Sequence, residues 1–187
     1  MTVALLDACV LYPPSLRDLL MRLAADEAYY PRWPSEIQSE WVRNVLANKP
    51  ATSETQLERT RRLMEQVDPD CLVTGYEPHI STLLLPDPND RHVLAAAIES
   101  DAAVIVTYNL SDFPDTALQA YGIRAAHPDL FLSALFDDQS DLFLHVVQKH
   151  RASLKNPPKS VEDYITTLRI NRLHDIALRL ETCRGDI

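Results

Sequence analysis

The chain opens with an apolar run, Val3-Ala4-Leu5-Leu6, that stops on Asp7 and resumes as Cys9, Val10, Leu11 and Tyr12. Unbroken apolarity of that length predicts a strand over 3–7. Pro13 and Pro14 then break the chain. Ser15 is placed to cap a helix reaching about Ala28, with Leu16, Leu19, Leu20 and Leu23 at helical spacing. "YYPRWPSEIQSEWVRNVLANKP" reads as a turn and then a helix, with Ser35 and Gln38 in a capping-box pattern and an end before Pro50. A polar helix over about 53–68, a short strand in "CLVTGYEPH" and a brief helix near 76–84 follow.

The most ordered pattern is "LLPDPNDRHVLAAAIESDAAVIVTYNLSDFP". Asp87 is a good N-cap because Pro88 then takes the first helical position, which proline favours. A helix runs from there to about Ser100, and "AAVIVT" (102–107) is a continuous apolar strand of the kind a sheet covered on both faces requires. Strand, helix and strand in this rhythm predict an α/β layered fold, completed by a helix near 115–121 and a strand around 123–125. After His127 the pattern is wholly helical, at about 128–136, 139–152, 160–170 and 172–182, with "KNPPKS" as a linker. The expected organisation is an α/β domain over 1–130 and a helical extension over 131–187.

Composition narrows the chemistry. With 46% hydrophobic residues in 187, a packed core is expected. The three glycines stand alone, which excludes a Gly-rich phosphate cradle. No apolar run has the length of a membrane span, the N-terminus lacks a secretory pattern, and the three cysteines follow no zinc spacing. A cytoplasmic protein with reduced thiols is expected. Net charge is −9, and residues 71–130 alone carry −6. Such a chain does not hold nucleic acid by bulk charge, so cations at the acidic patch or local arginines must do so if it meets phosphates.

Four acids share a placement. Asp7 ends the first strand and Asp112 follows the strand "VIVT", so both fall at the carboxyl edge of a parallel sheet, where ligands bind. Asp7 taken alone reads better as a turn cap. Asp90 shares the inward face of Val93, Leu94 and Ala97, and since Asp87 is the better cap, Asp90 is left for another task. Glu36 and Glu40 compete for the fourth place. Glu40 lies nearer the stripe of Ile37, Trp41, Asn44 and Val45, whereas Glu36 beside the N-cap is explained by the helix dipole. Carboxylates brought together repel and are costly to desolvate, which a hard divalent cation relieves. Oxygen-only donors suit Mg²⁺ or Mn²⁺, and the chemistry such a site favours is phosphoryl transfer.

"LLDACVLYP", "SEIQSEW", "LPDPNDRHVLAAAI" and "AAVIVTYNLSDFP", in that order, resemble the PIN-domain nuclease family over about residues 1–130. The resemblance implies a three-layer α/β/α sandwich around a parallel sheet. It implies Mg²⁺ or Mn²⁺ held by Asp7, Glu40, Asp90 and Asp112, and endonucleolytic hydrolysis of single-stranded RNA. It is similar to the VapC group, bacterial toxins of type II toxin–antitoxin pairs, so a cognate antitoxin is implied as partner. It matches Thr107 to a threonine that orients an acid or a water, and puts Asn109 where some relatives carry Asp. Asp87 is implied as a support behind the ligands. Arg17, Arg22 and Arg43 are near the acids in sequence and are candidates to hold substrate phosphates.

Other readings fall unevenly. A haloacid-dehalogenase-like phosphatase needs a second Asp where Cys9 stands. The six histidines form no hydrolase motif and are expected mostly at the surface, and Cys9 is expected as a small buried group. The apolar stripes of the last two helices (Val161, Tyr164, Ile165, Leu168; Leu173, Ile176, Ala177, Leu180) are expected to pack on the protein itself, ahead of an antitoxin or homodimer groove. The rival in function is a PIN-like binding module without catalysis.

Overall fold

The computed structural model describes every residue except Pro50. In chain order the elements are β1 (Val3–Leu6), α1 (Ala8–Leu11), α2 (Pro14–Ala25), β2 (Tyr30–Pro34), α3 (Ser35–Asn48), α4 (Glu54–Glu65), β3 (Leu72–Val73), α5 (Glu77–Ile80), α6 (Arg91–Glu99) and β4 (Val104–Val106). Then come α7 (Asp115–Leu118), β5 (Arg124–Ala126), α8 (Pro128–Asp138), α9 (Ser140–Ser153), α10 (Val161–Ile170) and α11 (His174–Thr182). Single 3-10 turns stand at Pro88–Asp90, Leu110–Asp112 and Gln119–Tyr121. The chain divides into two compact units, one of Met1–Tyr12 with Tyr29–His127 and one of Pro13–Ala28 with Pro128–Ile187.

The first unit is built on a five-stranded, wholly parallel sheet in the order β3-β2-β1-β4-β5. Ala4, Leu5 and Leu6 of β1 and all of β4 are fully buried. Because successive side chains point to opposite faces, both faces of these central strands are covered. The α6 helix, whose Val93 to Ala97 are buried, packs on β1, β2 and β4, while α3 packs on β2 and α7 on β5.

β2 is a correction to the sequence expectation, which makes Tyr30–Pro34 a turn. Two prolines in five residues argue against a central strand because each lacks an N–H. The register removes the objection. Tyr30 donates to Thr2 on the β1 side and Trp33 to Cys71 on the β3 side. Pairing with β3 begins only at Trp33, past Pro31, and pairing with β1 ends at Arg32, before Pro34. Neither missing donor falls where a partner is required. Arg32 also pairs with Asp68 at 2.8 Å in a largely buried contact, tying the strand to the loop before β3.

Helix starts differ from expectation at two places. α2 begins at Pro14 after Pro13, so Ser15 is inside the helix and caps nothing. α3 is preceded by Pro34, and Ser35 with Gln38 forms no capping box; Gln38 is fully buried and accepts from Trp41 Nε1 at 2.9 Å. Burial of Gln38 against the indole removes it from the role the pattern suggests. True capping boxes stand at Ser53–Gln56 and Ser160–Asp163. α3 stops at Asn48, and Pro50 lies outside the described residues.

The second unit is helical. α2 buries Leu16, Leu19, Leu20 and Leu23 and packs with α9, α8 packs with α9 and α11, and α10 packs with α11. The expected stripes on α10 and α11 are buried at Tyr164, Ile165, Leu168, Ile176, Ala177 and Leu180. Asp129 of α8 accepts from the N–H groups of Asp175 and Ile176 at 2.9 and 3.0 Å, satisfying the start of α11 from a distant helix. His150 is a further correction. It is expected among surface histidines but is 1% exposed, because it continues the apolar face of Phe143, Val146 and Val147.

Candidate active site at the carboxyl edge of the sheet

The strand order reverses between β1 and β4, since β2 and β3 are added on one side of β1 and β4 and β5 on the other. The crevice beyond such a reversal is the ligand-binding place of open parallel sheets. Asp7 and Thr107 are the first residues past β1 and β4 there. The buried Thr107 hydroxyl donates to Asp7 Oδ2 at 2.6 Å and accepts the Asn109 N–H at 3.0 Å. The Cys9 thiol donates to the same carboxylate oxygen at 3.1 Å, and its sulfur accepts the Tyr108 N–H at 3.3 Å. Burial, with the neighbouring Asp7 charge, pushes that thiol up to about 12, so it stays protonated. Asp7 precedes α1 but makes no side-chain cap bond to it. Of the two readings of Asp7, the turn cap does not describe what its carboxylate does.

The choice between Glu36 and Glu40 is decided by their partners. Glu36 is exposed and takes hydrogen bonds from the Tyr76 and Ser35 hydroxyls. Burial raises its carboxyl, but these bonds outweigh it and the net shift is downward. Glu40 is half-buried, and its carboxyl is raised first by burial and then by the Asp7 charge, with His92 and Arg43 opposing. Glu40 therefore shares the field of Asp7, while Glu36 is satisfied locally.

Asp90 stands between the 3-10 turn and α6 and makes no side-chain cap bond. Capping is done one turn earlier by Asp87, which accepts the Asn89 N–H at 2.8 Å with Pro88 in the first position, as the sequence predicts. The Asp90 carboxyl is pushed up to about 6, by burial first and then by Asp7, Asp112 and Asp87, with His92 opposing. Asp112, half-buried at the end of the Leu110–Asp112 turn, is thus close enough for its charge to be felt at Asp90. Asn109 is exposed and engages Thr107 through its backbone. Asp7, Glu40, Asp90 and Asp112 share one electrostatic field.

His92 belongs to the same field and is missed by sequence reasoning. Its charge is felt at Glu36, Glu40 and Asp90, and its Nδ1 lies 2.7 Å from the Asn89 carbonyl oxygen. The available signal was a histidine two positions past Asp90 at the start of an otherwise apolar helix. Of the candidate arginines, Arg43 is exposed on α3 in the same unit as the acids. Arg17 and Arg22 belong to the second unit, where Arg22 pairs with Asp18 at 3.1 Å and bonds to Ser153.

The donor set tests well for a hard cation in chemistry and charge. All four side chains offer oxygen, and Asp90 is raised by burial first and then by three neighbouring carboxylates. The chelating geometry is not pre-formed: among the described residues no three acidic, histidine or cysteine side chains stand together as an ion-binding group.

Residues 2–111 match the family model of the PIN domain. The chain belongs to the PIN-domain family. The parallel sheet with surrounding helices is the architecture the sequence pattern implies for it. Residues 128–182 match a second model, the VapC50 C-terminal domain. A Mycobacterium tuberculosis protein named "Putative ribonuclease VapC50" is 59% identical over 54 residues, which is 29% of this chain and 30% of that protein. No solved structure gives a significant match. Among the described residues, no helix is long and apolar enough to cross a membrane.

Proposed function

We propose that this PIN-domain chain is a Mg²⁺- or Mn²⁺-dependent endoribonuclease that hydrolyses phosphodiester bonds of single-stranded RNA in the cytoplasm, as the toxin of a type II toxin–antitoxin pair. The observation that carries the reading is the shared field of Asp7, Glu40, Asp90 and Asp112 at the switch point of the sheet. Structural ion pairs lower carboxyl pKa values, whereas Glu40 and Asp90 are raised by burial and then by neighbouring carboxylates, a pattern that suits a site awaiting positive charge. The four would hold the cation through oxygen. When bound, it supplies charge neutralisation, water activation and stabilisation of the leaving oxygen. Thr107 and Cys9 fix the orientation of Asp7, Asp87 supports the turn carrying Asp90, and Arg43, exposed on the helix that carries Glu40, would meet a substrate phosphate.

RNA as substrate, and the antitoxin as partner, draw support from the resemblance to the VapC group and from the name of the relative. A second reading, a PIN-like module without catalysis, is favoured by the lack of a pre-formed chelating group among the described residues. A Mn²⁺ titration separates them. Millimolar Mn²⁺ should raise the melting temperature of the native chain and support cleavage of single-stranded RNA, and Asp7→Asn should abolish the first and lower the second by at least about 100-fold. If the native chain shows neither response, the silent module stands. Induced expression should arrest growth, with new RNA ends that are missing in the Asp7→Asn control, and a co-encoded antitoxin should reverse the arrest.

A further inference from the structure

We infer that His92 is a positioning residue for Asp90, holding with Asp87 the single peptide that delivers Asp90 to the acid cluster. The consequence for activity rests on the function proposed above, but the geometry does not. The Asn89 carbonyl can only accept, so His92 Nδ1, 2.7 Å away, carries the proton and donates it. Asp87 Oδ1 accepts the Asn89 N–H at 2.8 Å, and the Asp87 carbonyl accepts the Asp90 N–H at 3.2 Å. Both polar groups of Asn89 and the amide of Asp90 are therefore engaged by two residues.

Asp90 needs such help. Its side chain makes no cap bond to the start of α6. It is half-buried, and Asp7, Asp112 and Asp87 add negative charge around it. The hydrogen bonds that hold its place are those of the backbone around it. His92 Nε2 is buried and has no hydrogen-bond partner. The ring therefore acts at Nδ1, and its other nitrogen is left over.

Three substitutions in the full chain separate the two nitrogens. In His92→Asn the amide nitrogen takes the place of Nδ1, in His92→Gln it falls nearer to Nε2, and His92→Leu keeps neither. Two readouts are used: the Mn²⁺ concentration for half-maximal thermal stabilisation with RNA kcat and KM, and the exchange rate of the Asp90 amide in metal-free protein. His92→Leu and His92→Gln should raise the Mn²⁺ midpoint and lower kcat by about tenfold or more with KM unchanged, and should speed amide exchange. His92→Asn should restore all of these to within about threefold. Retention in Gln with loss in Asn would make Nε2 the working atom and overturn the inference, as would loss in Asn alone or native behaviour in Leu. If the native chain neither responds to Mn²⁺ nor cleaves RNA, the proposed function fails, and amide exchange still decides on the clamp.

Discussion

Asp90 and Asp18 are both half-buried aspartates, one in each unit, and burial raises both carboxyls. Their neighbours then send them in opposite directions. Asp90 meets three further carboxylates and ends at about 6. Asp18 meets His150 and Arg22 and ends below the usual range. His150 Nε2 lies 3.2 Å from Asp18, His150 Nδ1 lies 2.9 Å from the Tyr164 hydroxyl, and Arg22 reaches both Asp18 and Ser153. The helical unit thus satisfies its inward-facing charges with protein groups, while the sheet unit leaves like charges facing one another. Unresolved repulsion in an otherwise well-packed unit is the pattern of a site rather than of a scaffold.

The sharpest way to break this contrast is to remove the satisfied side of it. His150→Ala empties a fully buried position and strips the Tyr164 hydroxyl of its partner, and the two rings also meet edge to face at 5.4 Å. We expect a loss of about 3 kcal/mol in denaturant unfolding. Asp18→Asn should cost only about 1 kcal/mol, because the carboxylate is 44% exposed and its pairs are screened. A His150→Ala cost below about 1 kcal/mol would mean that the network is not what holds α2 and α9 together.

The opposite sign is expected at the acid edge. In metal-free protein Asp90→Asn should raise stability at pH 7 by on the order of 1 kcal/mol after allowance for solvent screening. The folded pKa of Asp90 lies above its unfolded value, so the folded state holds the extra proton between about pH 4 and 6. The native chain should therefore lose stability from this group as pH rises through that window, and the advantage of Asp90→Asn should vanish near pH 4. Asp18, shifted down, contributes stability above the unfolded carboxylate pKa and loses it as pH falls through its lower folded value. Melting curves of the two Asn variants should depart from the native curve in opposite directions as pH rises, Asp90→Asn above it and Asp18→Asn below. Parallel curves would remove the electrostatic distinction between the units.

How far the sequence could be read follows the same line. Apolar runs with strong periodicity, such as 104–106 and the α6 helix, were legible because burial on both faces leaves little choice of residue. β2 was not, since Pro31 and Pro34 violate strand propensity and are tolerated only by a register that sequence does not display. Ser35–Gln38 carried a capping signature that tertiary burial of Gln38 overrode. Among the candidate site residues, Asp7, Glu40, Asp90 and Asp112 were proposed from position on their elements, and the charge of Asp7 felt at Glu40 and Asp90 agrees with that placement. His92 was not legible, because its bond runs back three residues to a carbonyl and leaves no pattern of residue types. His150 was on a readable apolar stripe, but its partners Asp18 and Tyr164 lie 132 and 14 residues away and only the fold unites them.

The smallest expected effect concerns Cys9, where the two tendencies meet in one side chain. It lies among the carboxylates, yet it is fully engaged: it donates to Asp7 and accepts from Tyr108. With its thiol pushed up to about 12, it should resist iodoacetamide at pH 8 in the folded protein, and mass spectrometry should find it unlabelled until denaturant is added. Cys9→Ser keeps both a donor and an acceptor and should change stability by less than about 1 kcal/mol. Cys9→Ala leaves the Tyr108 N–H without its acceptor and frees Asp7 of one donor, so it should cost about 1 kcal/mol and loosen Asp7 toward its second partner, Thr107. Rapid labelling of native Cys9 would show that the thiol is not held by Asp7, and would weaken the claim that this carboxylate is fixed from two sides.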